Sequence, residues 1–159
     1  NIATELLFRL LPVAGKISDM LFMVQKEVAE RLVAVPGSKA RGRLSIMIQV
    51  WCAVELLFTV APGAFTPPPA VDSAMVRIVP RPKPLLGGCD PERFANLVRL
   101  AFQQRRKTLR NTLRSELPEN AIRAAGVDPG LRAETLENEQ FVRLAEQLAL
   151  RHTTTGSHS

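Results

Sequence analysis

The sequence predicts an α/β fold in which the end of a doubly wound domain is followed by a small all-helical domain. Two observations predict the first part. A nearly continuous apolar run at residues 17–24 lies between two stretches with helical spacing, and two alternating runs follow at residues 53–60 and 73–78. One observation predicts the second part: after a stretch rich in proline and glycine, every apolar pattern has the helical period.

The N-terminal elements are predicted to be a helix, a buried strand and a second helix. Apolar residues recur at helical spacing over residues 2–10, and Pro12 with Gly15 ends that helix. Residues 17–24 are expected to form a strand covered on both faces, as in a parallel sheet. Residues 26–35 then carry a helical stripe. Because a single parallel strand cannot form a sheet, we expect the first strands of this domain to lie outside this sequence.

The middle of the chain predicts a helix and an antiparallel ribbon. Residues 44–51 form a helical stripe that includes Trp51, whose expected role is core packing. Residues 53–60 and 73–78 alternate as strands do, so they can pair with each other. The connection between them, residues 61–71, exceeds the ~2–5 residues of common hairpin loops. Long ordered connections of this kind tend to be functional.

A break in periodicity separates the two predicted units. Prolines, basic residues and paired glycines make residues 81–89 a candidate linker between a first domain, residues 1–80, and a helical domain, residues 90–150. Residues 151–159 are polar and are expected to form a disordered tail. The expected helices of the second domain begin near Asp90, Leu117 and Thr135.

Composition narrows the class of protein. A chain of 159 residues with 46% hydrophobic and 23% charged residues has a normal globular balance, so overall disorder is not expected. No apolar run approaches the ~20 residues of a membrane span, and no charged-then-apolar leader opens the chain. Cys52 and Cys89 lack metal-site spacing and are expected to be free thiols. These features predict a cytoplasmic protein with no metal and no membrane partner.

Positive charge is concentrated in the second unit. The net charge of +6 favours a polyanionic partner. Residues 99–115 carry six basic side chains and no acidic one, and on a continuous helix most of them fall on one face. A solvated face would interleave acids, so phosphate binding is the favoured interpretation. The loop at residues 35–43 is also basic and is expected to be either a phosphate contact or a solvated turn. The candidate phosphate-binding residues are Arg99, Gln103, Arg105, Arg106, Lys107, Arg110 and Arg114.

An aromatic residue in the long connection is the candidate ligand-binding residue. Phe65 is followed by Pro67, Pro68 and Pro69, which remove backbone donors and restrict the chain to extended conformations. Two interpretations follow from this stretch. Either the ring packs into the core, which is the commoner fate of phenylalanine, or it presents a flat face to a planar ligand. The stretch taken alone favours the core.

Two segments resemble a known family. Residues 65–73 read F-T-P-P-P-A-V-D-S ahead of a strand, and residues 101–111 read A-F-Q-Q-R-R-K-T-L-R-N. Both closely resemble the ribosomal RNA adenine dimethyltransferases, the KsgA family, and residues 23–32 and 42–45 support the resemblance. It covers about residues 1–150 and matches the C-terminal part of such proteins. The two motifs in this order are more specific than either alone.

The resemblance implies a Rossmann-like methyltransferase domain that uses S-adenosylmethionine, followed by a small all-α, RNA-binding domain. It implies dimethylation of N6 at two adjacent adenosines near the 3′ end of small-subunit ribosomal RNA, with a role in small-subunit maturation. Phe65 matches the family's base-stacking phenylalanine, and Pro67, Pro68 and Pro69 would support its face. The basic residues above would bind the RNA. The implied partner is small-subunit ribosomal RNA or an immature 30S-type particle, and the implied state is a monomer.

The sequence departs from the family at its chemical centre. The glycine-rich cofactor loop, the acidic ribose partner and the N-L-P-Y motif of the family are not found in it. Asn1 matches the residue directly after that motif, so it is not given the role of the catalytic asparagine. No catalytic or cofactor-binding residue is therefore assigned to this chain. We expect S-adenosylmethionine to be bound by upstream residues and the isolated chain to be inactive.

Two alternatives stay open. The missing cofactor motifs favour a non-catalytic RNA-binding or ribosome-assembly module. A methyltransferase of the same family could instead act on large-subunit RNA, as antibiotic-resistance enzymes do, or serve as a mitochondrial transcription factor. The Q-R-R-K-T segment at residues 104–108 argues for the small-subunit branch by resemblance alone. Binding of S-adenosylmethionine by the longest native form would separate an enzyme from a module.

Overall fold

The computed structural model describes residues 19–86 and 88–155, and these residues have α/β architecture. The predicted helix at residues 2–10 and Asn1 lie outside the described residues. Two short 3₁₀ helices cover Pro62–Ala64 and Ala133–Thr135. The main elements are β1 (Met20–Gln25), α1 (Lys26–Leu32), α2 (Arg43–Trp51), β2 (Cys52–Val60), β3 (Ser73–Pro80), α3 (Pro91–Phe102), α4 (Leu109–Thr112), α5 (Glu119–Ala124) and α6 (Asn138–Thr155).

The three described strands form one sheet in the order β1-β3-β2. The predicted antiparallel pairing of β2 with β3 is confirmed, with Val60 opposite Ser73 at one end and Cys52 opposite Pro80 at the other. The second edge of β3 pairs with β1, also antiparallel. The strands β1 and β2 therefore run in the same direction with β3 between them. The strand that comes last in the sequence occupies the centre of the sheet.

The expectation that the first strand is buried on both faces of a parallel sheet is wrong for the described residues. β1 pairs antiparallel, and its side chains alternate between covered and exposed. Val24 is 5% exposed and packs in a cluster with Val28 of α1, whereas Leu21 is 63% and Met23 45% exposed. A continuous apolar run does not report which alternate side chains are covered, because that depends on where the tertiary structure places the helices.

Two apolar clusters hold the elements together. The sheet cluster joins β1 and β3 to α1 and includes Leu32 and Val76. The helical cluster joins α3, α4, α5 and α6. The helix α2 belongs to both, since Ile48 lies in the sheet cluster while Ile46 lies in the helical cluster. Trp51 is half-buried against both clusters, so its expected packing role is confirmed, but at a junction rather than in a core centre.

The helical cluster follows the sequence pattern closely. Asp90 caps α3, because its carboxylate accepts hydrogen bonds from the backbone N–H groups of Glu92 and Arg93 at 3.1 and 3.3 Å. The apolar stripes predicted for the first and last helices are buried. The rings of Phe102 and Phe141 stack with centroids 5.8 Å apart, which joins the end of α3 to α6.

The segment predicted as a linker is packed against α2. The backbone N–H groups of Arg81 and Leu85 donate to the carbonyls of Trp51 and Val50 at 2.9 and 3.0 Å, and Leu86 is buried in the helical cluster. At the other end of the chain, α6 continues to Thr155. Residues 151–155 of the expected disordered tail are therefore helical, because the polar residues extend a helix already anchored by its buried stripe.

The cysteines are free and buried, as expected. Burial raises the pKa of the Cys52 thiol to about 11, so it is protonated at neutral pH. Among the described residues, no group of three or more histidine, cysteine or acidic side chains is placed to hold a metal ion. None of the described helices combines the length and the hydropathy that crossing a bilayer requires.

Phe141→Ala should lower the free energy of unfolding by about 3–5 kcal/mol, because it opens a cavity under the stacked Phe102 ring. Urea denaturation followed by circular dichroism measures the change. Phe58→Ala is the matched control, since Phe58 is 52% exposed and its loss should cost less than about 1 kcal/mol. Equal losses for the two variants would contradict the assignment of Phe141 to the helical cluster.

Candidate nucleic-acid interface

The connection between β2 and β3 is held closed at its base. Val60 and Ser73 are paired in the sheet, so the loop at residues 61–72 starts and ends at one place. Its first part is a 3₁₀ turn in which the N–H of Phe65 donates to the carbonyl of Pro62 at 3.2 Å. At its end, the carbonyl of Asp72 accepts the N–H of Lys26, the first residue of α1, at 2.9 Å. The loop is therefore fixed to the sheet and to α1.

Phe65 lies at the surface end of this loop. Its side chain is half-buried, and among the described residues it belongs to neither apolar cluster. Pro67, Pro68 and Pro69 are all exposed. Because prolines cannot donate backbone hydrogen bonds, this part of the loop does not continue the ladder between β2 and β3. The arrangement presents part of an aromatic surface to solvent, in contrast to the core position that the stretch alone favoured.

The expectation of one basic face on a continuous helix is wrong. The helix α3 ends at Phe102, residues 103–108 form turns, and α4 contains only Leu109–Thr112. One turn after buried Ala101, a continued helix would place Arg105 at the core. Ending the helix instead allows Leu109 and Leu113 to enter the cluster, where both are fully buried. A charged side chain in place of a leucine would be costly, so packing overrides helical continuity.

The predicted phosphate-binding residues all remain exposed, but three of them already have partners. Arg99 donates to the side-chain oxygen of Asn96 at 2.7 Å. The Nη2 of Arg105 donates to the backbone carbonyls of Lys39 and Arg41, at 3.1 and 2.7 Å. Arg105 therefore ties the 103–107 segment to the loop that precedes α2. Its guanidinium has a structural role in addition to any contact with a ligand.

Arg110 is the third partnered residue. Its guanidinium forms an ion pair with Glu119 at 2.9 Å, and Arg123 also reaches Glu119 at 3.2 Å. The hydrogen bond from Arg110 holds the pKa of the Glu119 carboxyl below its usual value, and the same bond raises the pKa of Arg110. All three side chains are substantially exposed, so the ion pairs are screened by water and salt.

Three cations are left for an external anion. Within the described residues, the side chains of Arg106, Lys107 and Arg114 are exposed and form no hydrogen bond or ion pair with the protein. Gln103 is exposed beside them and offers a neutral amide. Arginine forks and lysine ammonium groups in such positions suit phosphate oxygens. Arg106 and Lys107 lie in the turn at residues 103–108, called here the basic turn, and Arg114 follows α4, so these cations are not aligned along one helix.

The sequence did not reveal the role of Arg41. The loop at residues 35–43 was expected to touch phosphate or to be a solvated turn, but the Arg41 side chain is only 1% exposed. Its guanidinium donates to the carbonyl of Leu136 from two nitrogens at 3.0 and 2.8 Å, and to the carbonyl of Ala34 at 2.9 Å. The local sequence does not signal this burial, because Leu136, which accepts two of these hydrogen bonds, lies 95 positions away in the chain.

Gln49 and Asn138 complete the network around Arg41. The Asn138 side-chain oxygen accepts from Arg41 at 3.0 Å, and its nitrogen donates to the side-chain oxygen of Gln49 at 2.9 Å. Gln49 donates to the carbonyls of Leu32 and Ala34 at 2.9 and 3.1 Å. Burial lowers the pKa of the Arg41 guanidinium, although such a strong base stays charged at neutral pH. The network joins the end of α1, α2 and the start of α6.

The helix α1 connects the Phe65 loop to the basic turn. One groove, of about 570 Å³, lies between α1 and the segment before α2, and is lined by Glu27, Glu30 and Arg105 among others. A second groove, of about 320 Å³, is lined by the same two glutamates together with Asp72 at the end of the Phe65 loop. The helix α1 therefore lies between the end of the Phe65 loop, at Asp72, and Arg105 of the basic turn.

The arrangement suits binding of a nucleic-acid strand. A partly exposed aromatic ring can stack on an unpaired base, and exposed cations without protein partners can neutralise backbone phosphates. The described residues contain no pair of groups that we assign to proton transfer.

Comparison with known proteins supports this interpretation. A family model described as ribosomal RNA adenine dimethylase matches residues 1–150. A ribosomal RNA small subunit methyltransferase A from Pseudomonas aeruginosa is 58% identical over 149 residues, which cover 94% of this chain and 56% of the relative. The same-named protein from Acidithiobacillus ferrooxidans is 55% identical over 146 residues, which cover 92% of this chain and 55% of the relative. The chain spans about half the length of these curated relatives.

Solved structures show the same fold. The crystal structure of a dimethyladenosine transferase from Plasmodium falciparum matches with a TM-score of 0.80 at 24% identity, over 98% of this chain and 64% of that chain. The crystal structure of the 23S rRNA methyltransferase ErmE matches with a TM-score of 0.61 at 30% identity, over 83% of this chain and 55% of that chain.

The pKa of Glu119 should rise toward its usual value in Arg110→Met, because the hydrogen bond that lowers it is lost. Carboxyl chemical shifts followed by NMR from pH 2 to 7 measure the midpoint. The native pKa is depressed, so the pair's small contribution to stability is full at neutral pH and is lost as the pH falls through that midpoint. An unchanged midpoint in the variant would show that the two side chains do not interact in solution.

Proposed function

This chain belongs to the ribosomal RNA adenine dimethylase family, and on that premise we propose that it forms the RNA-facing part of a small-subunit ribosomal RNA adenine dimethyltransferase. The proposed reaction places two methyl groups on N6 of each of two adjacent adenosines near the 3′ end of that RNA. The observation that carries the proposal is the position of Phe65, which is held on a closed loop outside both apolar clusters. A core-filling phenylalanine would not need such a support.

The proposed chemistry explains why an aromatic face is needed. The exocyclic amine of adenine is conjugated to its ring and is a poor nucleophile, and its base must leave the stack to be reached. Stacking on a ring such as Phe65 is worth ~1–3 kcal/mol per base, which helps to offset the loss of stacking in the RNA. Pro67, Pro68 and Pro69 keep the face of the ring accessible. Rate enhancement then comes mainly from holding the amine in line with the methyl group.

The proposed methyl donor is S-adenosylmethionine, which supplies a methyl group on a positively charged sulfur. The direct strand-to-helix junction between Gln25 and Lys26 contains no glycine, so these residues do not form the cofactor loop of a Rossmann-like domain. We therefore assign no residue of this chain to the donor and no step to its site. The part of the reaction assigned to this chain is to hold the RNA and the flipped base.

The finer organisation that we propose follows from the same premise. Residues 1–80 form the C-terminal part of a Rossmann-like, S-adenosylmethionine-dependent methyltransferase domain, and residues 90–150 form a small all-α, RNA-binding domain. The partner is small-subunit ribosomal RNA, within an immature 30S-type particle, and the protein acts as a cytoplasmic monomer in subunit maturation. The two apolar clusters support this division, although α2 contributes to both.

The basic turn is the proposed site of phosphate contact. The residues proposed to contact phosphate are Arg106, Lys107 and Arg114, because their charges are not compensated within the described residues. Arg110 contributes less, because Glu119 already neutralises part of its charge. The distinction between free and partnered cations gives each residue a different expected effect on the salt dependence of binding.

The large-subunit alternative has one observation in its favour, which is the structural match to ErmE. The relatives named for the small subunit are 55–58% identical to this chain, against 30% for ErmE, so the small-subunit target is the better supported. Methylation of small-subunit and large-subunit RNA in parallel separates the two targets. Failure of the longest native form to bind S-adenosylmethionine would favour a non-catalytic RNA-binding module instead.

Arg106→Ala and Lys107→Ala should each weaken RNA binding and lower the slope of log K against log salt by about one, because each removes one phosphate contact. Arg110→Ala should lower the slope by less, since Glu119 shares its charge. Fluorescence anisotropy with labelled RNA at several salt concentrations measures the slopes. Arg93→Ala is the matched control, because Arg93 is exposed at the opposite end of α3. Slopes unchanged by Arg106→Ala and Lys107→Ala would remove the basic turn from the interface.

Phe65→Ala should reduce adenosine methylation by the longest native form far more than it reduces overall RNA affinity, because one stacked base is a small part of the contact. Phe65→Tyr should retain most activity, since the flat face is kept. Methyl transfer from labelled S-adenosylmethionine to small-subunit RNA measures the rate. Normal methylation combined with a lower melting temperature in Phe65→Ala would instead support a core role for the ring.

A further inference from the structure

We propose that Arg41 is a positioning residue that sets the basic turn in register with the Phe65 loop, an inference that rests on the proposed function above. Arg41 does not touch RNA in this proposal. Its buried guanidinium fixes the loop before α2 against the start of α6, and its backbone carbonyl holds Arg105. The two binding elements are thereby kept at a fixed separation on one face of α1.

The first step of the argument is the character of the Arg41 contacts. Every acceptor of its guanidinium is a neutral oxygen: two backbone carbonyls and two side-chain amides. No salt bridge of Arg41 is found among the described residues. A buried charge whose hydrogen bonds all go to neutral dipoles depends on those dipoles being placed correctly, and the nearby Glu137 adds only a through-space attraction. The planar fork of arginine therefore specifies one geometry, which an ammonium group does not reproduce.

The second step is the distribution of those acceptors along the chain. Ala34 belongs to the loop after α1, Gln49 to α2, and Leu136 with Asn138 to the region where α6 begins. A separate bond joins the same two regions, since the N–H of Gly37 donates to the carbonyl of Glu134 at 2.8 Å. Gly37 has a φ of 87°, so the turn that brings its N–H there favours glycine. The network thus fastens elements of both apolar clusters.

The third step connects this network to the two binding elements. The carbonyl of Arg41 accepts from Arg105 at 2.7 Å, and Arg106 and Lys107 follow directly in the chain. On the other side, α1 leads into the Arg41 loop, and its first N–H is bonded to Asp72 at the end of the Phe65 loop. A path through the loop after Phe65, the bond at Asp72, α1 and the Arg41 hydrogen bonds therefore leads to the basic turn.

The proposal predicts that phosphate binding by the basic turn and placement of the base on Phe65 can be lost separately. Loss of the guanidinium should leave the phosphate contacts of Arg106 and Lys107 intact, because those side chains are exposed and do not depend on Arg41 for their charge. It should uncouple them from Phe65, because the spacing between the two elements is then free to vary. A bound RNA would engage the basic turn without presenting its base to the ring.

The test measures the contributions of Phe65 and Arg106 to RNA affinity, with and without Arg41. The probe is an RNA hairpin whose loop carries two adjacent adenosines, and the protein is the longest native form. In the unmodified chain, Phe65→Ala should weaken binding about tenfold through lost stacking. In an Arg41→Met background, Phe65→Ala should change affinity by less than about twofold, while Arg106→Ala should still lower the salt slope by about one.

Two controls keep the result interpretable. Arg93→Met removes an exposed arginine and should leave both contributions unchanged. Asn138→Ala, which removes one acceptor of the guanidinium and one donor to Gln49, should show the same partial uncoupling and replaces Arg41→Met if that variant does not fold. Amide hydrogen exchange should be faster over residues 33–41 in both network variants, which confirms that the network has loosened.

The outcomes are distinct. Persistence of both contributions in the folded Arg41→Met and Asn138→Ala backgrounds would overturn the positioning role, since a purely structural residue would leave the ring and the basic turn equally effective. Absence of any Phe65 contribution in the unmodified chain would overturn the proposed function instead. Loss of both contributions in a folded variant would also reject the proposal, because Arg41 would then support phosphate binding itself.

Discussion

The buried guanidinium of Arg41 is the interaction on which the arrangement of the described residues depends. A charged group that is 1% exposed must have its hydrogen-bonding capacity met inside the protein. Its acceptors come from the nearby Ala34 and Gln49 and from the distant Leu136 and Asn138. Removing any one acceptor leaves the buried charge with an unmet hydrogen bond, which costs free energy. The network is therefore favourable only when all of its hydrogen bonds are made. This requirement fixes the helices after residue 90 relative to the sheet and α1.

The sheet supplies the second constraint. β3 lies between β1 and β2, so its pairing with β2 closes the loop that carries Phe65, while its pairing with β1 brings the end of that loop to α1. Among the described residues, the ring belongs to neither apolar cluster. Its support comes from backbone hydrogen bonds at both ends of the loop and from proline stiffness between them. An aromatic ring can remain accessible under those conditions.

Electrostatics divide the basic residues into two groups with different roles. Arg105 and Arg110 satisfy carbonyls and a carboxylate of the protein itself, and so they shape the surface. Arg106, Lys107 and Arg114 lack such partners within the described residues and are the residues proposed to contact phosphate. This division arises because the helix ends after Phe102, so the basic residues that follow do not continue one helical face. A strand of RNA would meet a compact charged turn instead of a long basic face.

Sequence alone determined the element types, the antiparallel ribbon, the α3 cap at Asp90 and the residues that make up the candidate interface, because local periodicity, capping and composition carry that information. It did not determine that β1 is covered on one face, that α3 stops at Phe102, or that Arg41 is buried. Each of these depends on side chains far apart in the chain competing for the same interior. For Phe65, the sequence indicated that the following prolines are stiff. Only the tertiary structure showed that the ring lies outside the two apolar clusters.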